Sequence, residues 1–266
     1  MCLAFAAIDG RRVGVEDREA TDPTPIVFYH GMGDTSHGSI YSLQKYLEAK
    51  IAGVYVLSVR MGKLANGFNA IGFSQGGQIL RAIAQRCPTI QINNLISLGG
   101  QHQGVYGLPR CPQQNRICDL VRKLLNYGAY EDYVQSHVVQ AEYWHDPLQE
   151  DIYKNRSVFL ADINNENIPR NADYKARLLK LKNLVLVKFL NDSMVEPRES
   201  SLFGFYAPNQ AQSVYKMRDS ALYKEDWLGL KELDTSGRLR EYEVIGDHLQ
   251  IDMNWFDNEI IDKYLK

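Results

Sequence analysis

Hydrophobic positions along this chain fall into short, nearly continuous runs that are bounded by turn residues. Six runs are predicted strands: Pro25 to Tyr29, Val54 to Val59, Phe68 to Phe73, Asn94 to Leu98, Asn183 to Leu190 and Glu241 to Ile245. Strands that are apolar on both faces are typical of a sheet covered by helices on both sides. Amphipathic helical patterns are present at Ser39 to Lys50, Gln75 to Arg86 and Asn254 to Leu265. The pattern predicts an α/β fold with a mostly parallel sheet.

The stretch between Leu98 and Asn183 is far longer than an ordinary connection between strands. It contains its own helical patterns at Ile117 to Leu125 and Tyr130 to Tyr143. We therefore expect an inserted helical lid over about residues 101–182. Residues 1–24 are predicted to be a poorly ordered N-terminal segment, and residues 25–266 to form one domain.

Composition narrows the classes of partner. The chain has 266 residues, 45% of them hydrophobic, and a net charge of -2, which fits one globular domain. The absence of a clustered basic stripe argues against nucleic acid as a partner. No apolar run reaches the eighteen or so residues of a transmembrane helix. The apolar opening Met1 to Ile8 lacks a basic region and is a poor signal peptide.

The pentapeptide Gly72-Phe73-Ser74-Gln75-Gly76 lies between a predicted buried strand and a predicted helix. This is the setting of the G-x-S-x-G nucleophile elbow of serine hydrolases of the α/β-hydrolase fold. A serine hydroxyl is a weak nucleophile, so the turn must lift it clear of the sheet and place a base beside it. The two glycines permit that tight turn, and Ser74 is the candidate nucleophile.

In this fold the acid and the histidine follow the serine along the chain, each at the carboxyl end of a strand. Asp192 follows the run that ends at Leu190, and His248 follows the run that ends at Ile245. We expect Asp192 to orient His248, which takes the proton of Ser74.

Other residues compete for these roles. Asp162 also ends an apolar run, but that run lies within the predicted lid. Asp247 is interpreted as a turn residue because adjacent side chains rarely face each other. Four further histidines lie in loops or in the insertion, where a single histidine is usually solvated; they are His37, His102, His137 and His145.

Two N–H donors are needed to stabilise the oxyanion of acyl transfer. The backbone N–H of Gln75 is one candidate, and that of Met32, in the glycine-containing loop His30 to Asp34, is the other. No spacing of histidines and cysteines suggests a metal site, and no cofactor motif is present.

The short loop between Cys111 and Cys118 suits a disulfide, although two reduced thiols remain the alternative. Asn155 and Asn191 begin glycosylation sequons, which favour the secretory route.

Six ordered motifs of this chain resemble the palmitoyl-protein thioesterases, and the lysosomal type 1 enzymes in particular. They are Phe28 to Asp34, Asn69 to Gln78, Gly99 to Val105, Ala141 to Pro147, Lys188 to Ser193 and Gly246 to Gln250. The resemblance implies hydrolysis of long-chain acyl thioesters on protein cysteines, with Ser74, Asp192 and His248 as the triad and no cofactor. It also implies an acyl groove to which Trp144 and Met194 contribute, although both also suit ordinary packing, and it implies glycosylation and delivery to lysosomes.

The chain departs from the family between the second and third predicted strands, where the family has a helix-bearing segment. Only Arg60 to Gly67 lie here. Eight extended residues reach about 27 Å, little more than the length of about 23 Å of a seven-residue strand. In the family Cys87 pairs with a cysteine of the missing segment, so it is expected to lack that partner. The cysteine pair near the oxyanion loop of the family is also absent, with Ser36 and His37 in its place.

Three functions follow as hypotheses. The first is a serine thioesterase that acts on S-acylated proteins. The second is a lipase or carboxylesterase of the same fold. The third is an impaired isoform whose scaffold is damaged by the missing segment.

Overall fold

Six parallel strands form the centre of the molecule. The computed structural model describes residues 23–29, 39–54, 56–58, 67–107 and 128–266. The strands of the main sheet are β1 (Ile26–Tyr29), β2 (Val56–Ser58), β3 (Phe68–Phe73), β4 (Ile92–Leu98), β5 (Asn183–Phe189) and β8 (Leu239–Val244). Their order is β2-β1-β3-β4-β5-β8, and every neighbouring pair is parallel. A separate antiparallel pair is formed by β6 (Phe205–Tyr206) and β7 (Val214–Tyr215). The predicted α/β fold is confirmed.

Helices cover both faces of this sheet. The described helices are α1 (Ser39–Lys50), α2 (Gln75–Arg86), α3 (Asp132–His137), α4 (Val139–Glu142), α5 (Glu150–Arg156), α6 (Leu160–Ile163), α7 (Ala172–Leu178), α8 (Ala221–Lys224), α9 (Leu230–Thr235) and α10 (Met253–Trp255). Two 3₁₀ turns (Arg198–Leu202 and Met217–Asp219) and a C-terminal π-type helix (Phe256–Leu265) complete them.

Alternate residues of the strands pack toward opposite cores. Val27 and Ala70 belong to the core that includes Leu80 of α2. Ile26 and Ile71 belong to the core that includes the α1 residue Leu47 and the C-terminal helix. Both sets are almost fully buried. This two-sided burial is why the strands read as continuous apolar runs instead of alternating ones.

The connection from β2 to β3 is less demanding than the sequence suggested. Strand β2 has three residues, fewer than the predicted run from Val54 to Val59. Ser58 pairs with Phe28, whereas Asn69 pairs with Ile26. The chain therefore returns by about three residues, or roughly 10 Å, and crosses two strand spacings of about 5 Å each. This total is well within the reach of the intervening residues. Residues 59–66 lie outside the described part of the chain.

Two further expectations concern a predicted helix and the partner of Cys87. The predicted helix from Tyr130 to Tyr143 is two short helices, because Val138 is extended (φ -120°, ψ 99°). Val138 is buried against Val134 and Ala141, and the side-chain amide of Gln135 donates to the carbonyls of Ala129 and Ala141 on either side of the break. Cys87, expected to lack the partner that it has in the family, is disulfide-bonded to another cysteine. Its partner lies outside the described residues, as do the predicted helix Ile117 to Leu125 and residues 1–22.

Candidate active site

Ser74 occupies the sharp turn between β3 and α2. Its backbone has φ 53° and ψ -124°, which is a strained conformation for a residue with a side chain. A Cβ atom at Gly72 would overlap the backbone of Gly77, so only glycine allows strand and helix to approach this closely. The Ser74 N–H donates to the carbonyl of Leu98 (2.8 Å), which fixes the turn against β4. The local geometry is that of a nucleophile elbow.

Asp192 and His248 meet at the carboxyl ends of β5 and β8. His248 Nδ1 lies 2.7 Å from Asp192 Oδ2. The other carboxylate oxygen, Oδ1, accepts the N–H groups of Met194 (2.8 Å) and Val195 (2.9 Å). Asp192 is 4% exposed. Because the carboxylate accepts a hydrogen bond from Nδ1, that nitrogen carries the proton of the neutral ring. Nε2 is then unprotonated and can act as a base.

The segment that follows β4 lies close to both Ser74 and His248. A Cβ at Gly99 would lie 3.1 Å from His248 Cε1, and one at Gly100 would lie 3.3 Å from the carbonyl oxygen of Ser74. Among the hydrogen bonds of the described residues, none joins Ser74 Oγ to the imidazole. Such catalytic hydrogen bonds are often long in the unliganded enzyme and tighten when substrate is bound.

The competing acid, Asp162, is engaged elsewhere. Its Oδ2 accepts from the guanidinium of Arg86 and from the hydroxyl of Tyr174 (2.9 Å). It therefore has a structural role between α6, α2 and α7.

Asp247 does more than form a turn, which the sequence reasoning missed. Its carboxylate accepts from the N–H of Ser193 (2.8 Å), the hydroxyl of Ser193 (3.0 Å) and the N–H of His248 (2.7 Å). These hydrogen bonds, that of His248 first, lower the pKa of Asp247. Asp247 thus ties the loop that carries Asp192 to the loop that carries His248. The only signal in the sequence is its position between Gly246 and His248.

Two histidines expected to be solvated are buried. His102 is fully buried and His145 is 3% exposed, whereas His137 is exposed as expected. The ring of His145 is stacked between Tyr153 and Phe205 and lies 3.0 Å from Glu150 Oε1. His102 and His145 are buried because the loops that carry them pack on other loops, and no local sequence pattern predicts such packing. His37 lies outside the described residues.

The two oxyanion candidates differ in what the structure describes. Gln75 is the first residue of α2, where an N–H group has no acceptor within the helix and is free for a substrate oxygen. Met32 lies outside the described residues.

Trp144 lines a cavity of about 720 Å³. Its ring packs 5.4 Å from that of Tyr106, which lines the same cavity together with Tyr130, Asp146 and Gln149. Met194 is half-buried in the loop of Asp192 and does not line this cavity. The structure therefore does not bring the two candidate acyl contacts together around this cavity.

The remaining candidates concern the surface. Asn155, on α5, and Asn191, beside Asp192, are both exposed. Cys111 and Cys118 lie outside the described residues.

Within the described part of the chain, no three His, Cys, Asp or Glu side chains converge in the manner of a metal site. The helices of that part are all too short or too polar to cross a bilayer.

The chain matches one family model and several known relatives. The family model of palmitoyl protein thioesterase matches residues 61–248, a range that includes Ser74, Asp192 and His248. Palmitoyl-protein thioesterase 1 of Caenorhabditis elegans is 49% identical and covers 94% of this chain and 94% of its own length. Palmitoyl-protein thioesterase 3 of Dictyostelium discoideum is 38% identical, with 84% of each chain covered. Lysosomal thioesterase PPT2 of Homo sapiens is 30% identical, with 84% of this chain and 80% of its own covered. By model and by relatives, this chain belongs to the palmitoyl-protein thioesterase family.

Proposed function

We propose that the chain is a serine thioesterase that removes long-chain fatty acyl groups, such as palmitoyl, from cysteines of S-acylated proteins. The observation that carries the proposal is the contact of 2.7 Å between His248 Nδ1 and Asp192 Oδ2, in a chain whose Ser74 occupies a strained elbow. This arrangement leaves Nε2 of His248 as the base for Ser74.

In the proposed reaction, Ser74 Oγ attacks the thioester carbonyl while His248 Nε2 accepts its proton. The oxyanion is stabilised by the N–H of Gln75, with the N–H of Met32 as the proposed second donor. The C–S bond then breaks, and the cysteine thiol leaves with the proton from His248. Water, deprotonated by His248, attacks the acyl-Ser74 ester, the bond from the acyl carbon to Oγ breaks, and His248 returns the proton to Oγ as the fatty acid leaves. Each step uses atoms of the substrate, water and these side chains alone.

The first experiment is covalent labelling of Ser74 with a fluorophosphonate. We expect the wild-type protein to be labelled and the Ser74→Ala variant to remain unlabelled at equal concentration. Asp192→Asn should be labelled on the order of 10⁴-fold more slowly, because the wrong histidine tautomer is then stabilised. A wild-type protein that folds but is not labelled would support the impaired isoform instead.

The second experiment separates a thioesterase from a lipase or carboxylesterase. Palmitoyl thioester and palmitoyl oxygen-ester substrates are hydrolysed side by side by the same preparation. We expect turnover of the thioester, whereas turnover of the oxygen ester alone would overturn the proposed substrate class.

The contribution of Trp144 and Met194 to acyl binding is tested by Trp144→Ala and Met194→Ala, which should raise KM for long acyl chains more than for short ones.

We further propose that the chain follows the secretory route to the lysosome. The support is the name of the human relative, a lysosomal thioesterase, and the exposure of Asn155 and Asn191 in their sequons. A mass decrease on enzymatic deglycosylation, lost in Asn155→Gln and Asn191→Gln, would test the modification. Peptide mapping under non-reducing conditions, which identifies the peptides that a disulfide joins, would test the proposed pairing of Cys111 with Cys118.

A further inference from the structure

The segment Gly99-Gly100 lies beside both the ring of His248 and the backbone of Ser74. Gly99 has φ +64°, a conformation that favours glycine, and its N–H donates to the carbonyl of Val187 on β5 (2.9 Å). A Cβ at Gly99 would meet the ring of His248 and one at Gly100 would approach the carbonyl oxygen of Ser74, so a shift of this segment would displace both residues.

His102 is hydrogen-bonded to this segment. The backbone N–H of His102 donates to the carbonyls of Gly100 (3.0 Å) and Ser200 (3.1 Å). Its ring is fully buried and stacks on Phe203, with centroids 4.7 Å apart and planes at 6°. Burial, and secondarily the nearby charge of Arg81, lower the pKa of His102 well below its ordinary value. The imidazole is therefore neutral and acts through hydrogen bonding.

The partner of that imidazole is Ser97, near the end of β4. His102 Nε2 lies 2.9 Å from Ser97 Oγ. Ser97 is 1% exposed. A Cβ atom at Gly77 or at Gly100 would overlap its hydroxyl. It therefore lies where α2, β4 and the Gly99-Gly100 segment are in closest contact. Gly77 is also bonded to the elbow, since its N–H donates to the carbonyl of Ser74 (2.9 Å).

We propose that Ser97 and His102 are a positioning pair that sets the distance between Ser74 and His248. The hydrogen bond to His102 fixes the Ser97 hydroxyl, and this hydroxyl in turn packs against Gly77 and Gly100. Neither residue touches the substrate. The inference rests on the proposed function, because it assigns a role in a reaction of Ser74.

The test compares Ser97→Ala and His102→Leu, which remove the hydrogen bond, with His102→Gln, whose amide reaches close to the position of Nε2. A displacement of about 1 Å in a catalytic group costs on the order of 10²-fold in rate. We expect kcat and the rate of fluorophosphonate labelling to fall by about that factor in the first two variants, with KM nearly unchanged. His102→Gln should recover most of the loss.

Asn94→Ala is the matched control. Asn94 lies on the same strand three residues earlier, is buried, and donates to Asn69 Oδ1 and to the carbonyl of Tyr264, both 2.8 Å away. Its loss removes buried hydrogen bonds at the opposite end of β4. We expect a similar decrease in Tm with an unchanged labelling rate.

The outcomes are distinguishable. If the wild-type protein is not labelled, the proposed function itself is wrong. If the wild-type protein is labelled and Ser97→Ala is labelled equally fast, only the positioning pair is wrong. Equal slowing by Ser97→Ala and Asn94→Ala would assign the effect to general stability and would also overturn the proposal. Should Ser97→Ala fail to fold, His102→Leu and His102→Gln decide between the same outcomes.

Discussion

At the scale of single residues, the proposed site depends on side chains that are held by several partners each. Asp192 accepts two backbone N–H groups besides the imidazole, and Asp247 accepts three hydrogen bonds that join two loops. Such partners fix the orientation of a catalytic group before substrate arrives. Ser74, Asp192 and His248 could be predicted because the elbow and the strand ends are readable in the sequence. Asp247 and His102 could not, because their roles depend on loops that are distant in sequence.

Glu166 provides a test of pH dependence at this scale. Burial raises the pKa of Glu166 above its ordinary value, and the Tyr153 hydroxyl donates to its Oε1 (3.0 Å). Between the ordinary pKa and the raised one, the folded state holds more protons than the unfolded state, so its contribution to stability falls as pH rises through that window. Replacing the carboxylate with a neutral amide of the same shape removes the cost of charging this group.

We therefore expect Glu166→Gln to raise Tm at pH 7.5 by a few degrees, at about 2–4 °C per kcal/mol, and to have little effect near pH 4. Thermal unfolding measured from pH 4 to 8 checks this. The exposed Glu232 supplies the control, since Glu232→Gln should leave the pH dependence of Tm unchanged. A gain that is the same at both ends of the pH range would contradict the assignment to Glu166.

At the scale of secondary-structure elements, strands were more predictable than the helices of the predicted lid. The ends of the runs predicted for β3, β4 and β5 lie within two residues of the ends of the observed strands. Burial on both faces makes these strands continuous apolar runs, which are easy to recognise in the sequence. The helix predicted from Tyr130 to Tyr143 fails at Val138, where burial of a single side chain and the bonds of Gln135 outweigh helical periodicity. Short helices of this kind depend on tertiary contacts, which a periodic pattern does not contain.

The contact between α2 and β4 gives a prediction at this scale. A Cβ at Gly77 would overlap the hydroxyl of Ser97. Gly77→Ala should therefore lower the free energy of unfolding by about 1–3 kcal/mol, the usual cost of overpacking a core. In combination with Ser97→Gly, which removes the overlapping atoms, the loss should be smaller than the sum of the two single losses. Denaturant unfolding of the four proteins of this double-mutant cycle measures the difference, and strict additivity would show that the two sites do not touch in solution.

At the scale of the whole molecule, the chain combines the proposed site with a scaffold that is shorter than that of a relative. The alignment with the worm relative runs over 281 positions, more than the 266 residues of this chain, so this chain lacks residues that the relative has. The position of the loss between β2 and β3 stays a prediction. The short return from Ser58 to Phe68 explains how β2 and β3 can both pair with β1 without a long crossover. The sheet is thus compatible with the predicted loss of a segment between β2 and β3.

The nucleophile helix is also joined to the predicted lid through one buried cation. The Arg81 guanidinium donates to the carbonyls of Ile163 (2.9 Å) and His102 (3.1 Å) and to Asn164 Oδ1 (2.8 Å). Burial lowers the pKa of Arg81 to about 9, so it remains charged at neutral pH. No carboxylate is among its hydrogen-bond partners in the described residues, so its charge is compensated by neutral acceptors and by the ring of Phe203.

Replacing this cation tests whether lid and elbow form one cooperative unit. A lysine ammonium cannot reach acceptors that the planar guanidinium serves in separate directions, and a buried acceptor left unpaired costs about 1–3 kcal/mol. We expect Arg81→Lys to lower Tm by roughly 5 °C or more and to expose residues 128–182 to limited proteolysis below the main transition. The matched control is Arg86→Lys, because Arg86 serves a single carboxylate oxygen of Asp162 that an ammonium can also serve. If Arg81→Lys and Arg86→Lys unfold alike, and neither increases cleavage in the lid, then the lid is stabilised by its apolar contacts and Arg81 does not couple it to the nucleophile.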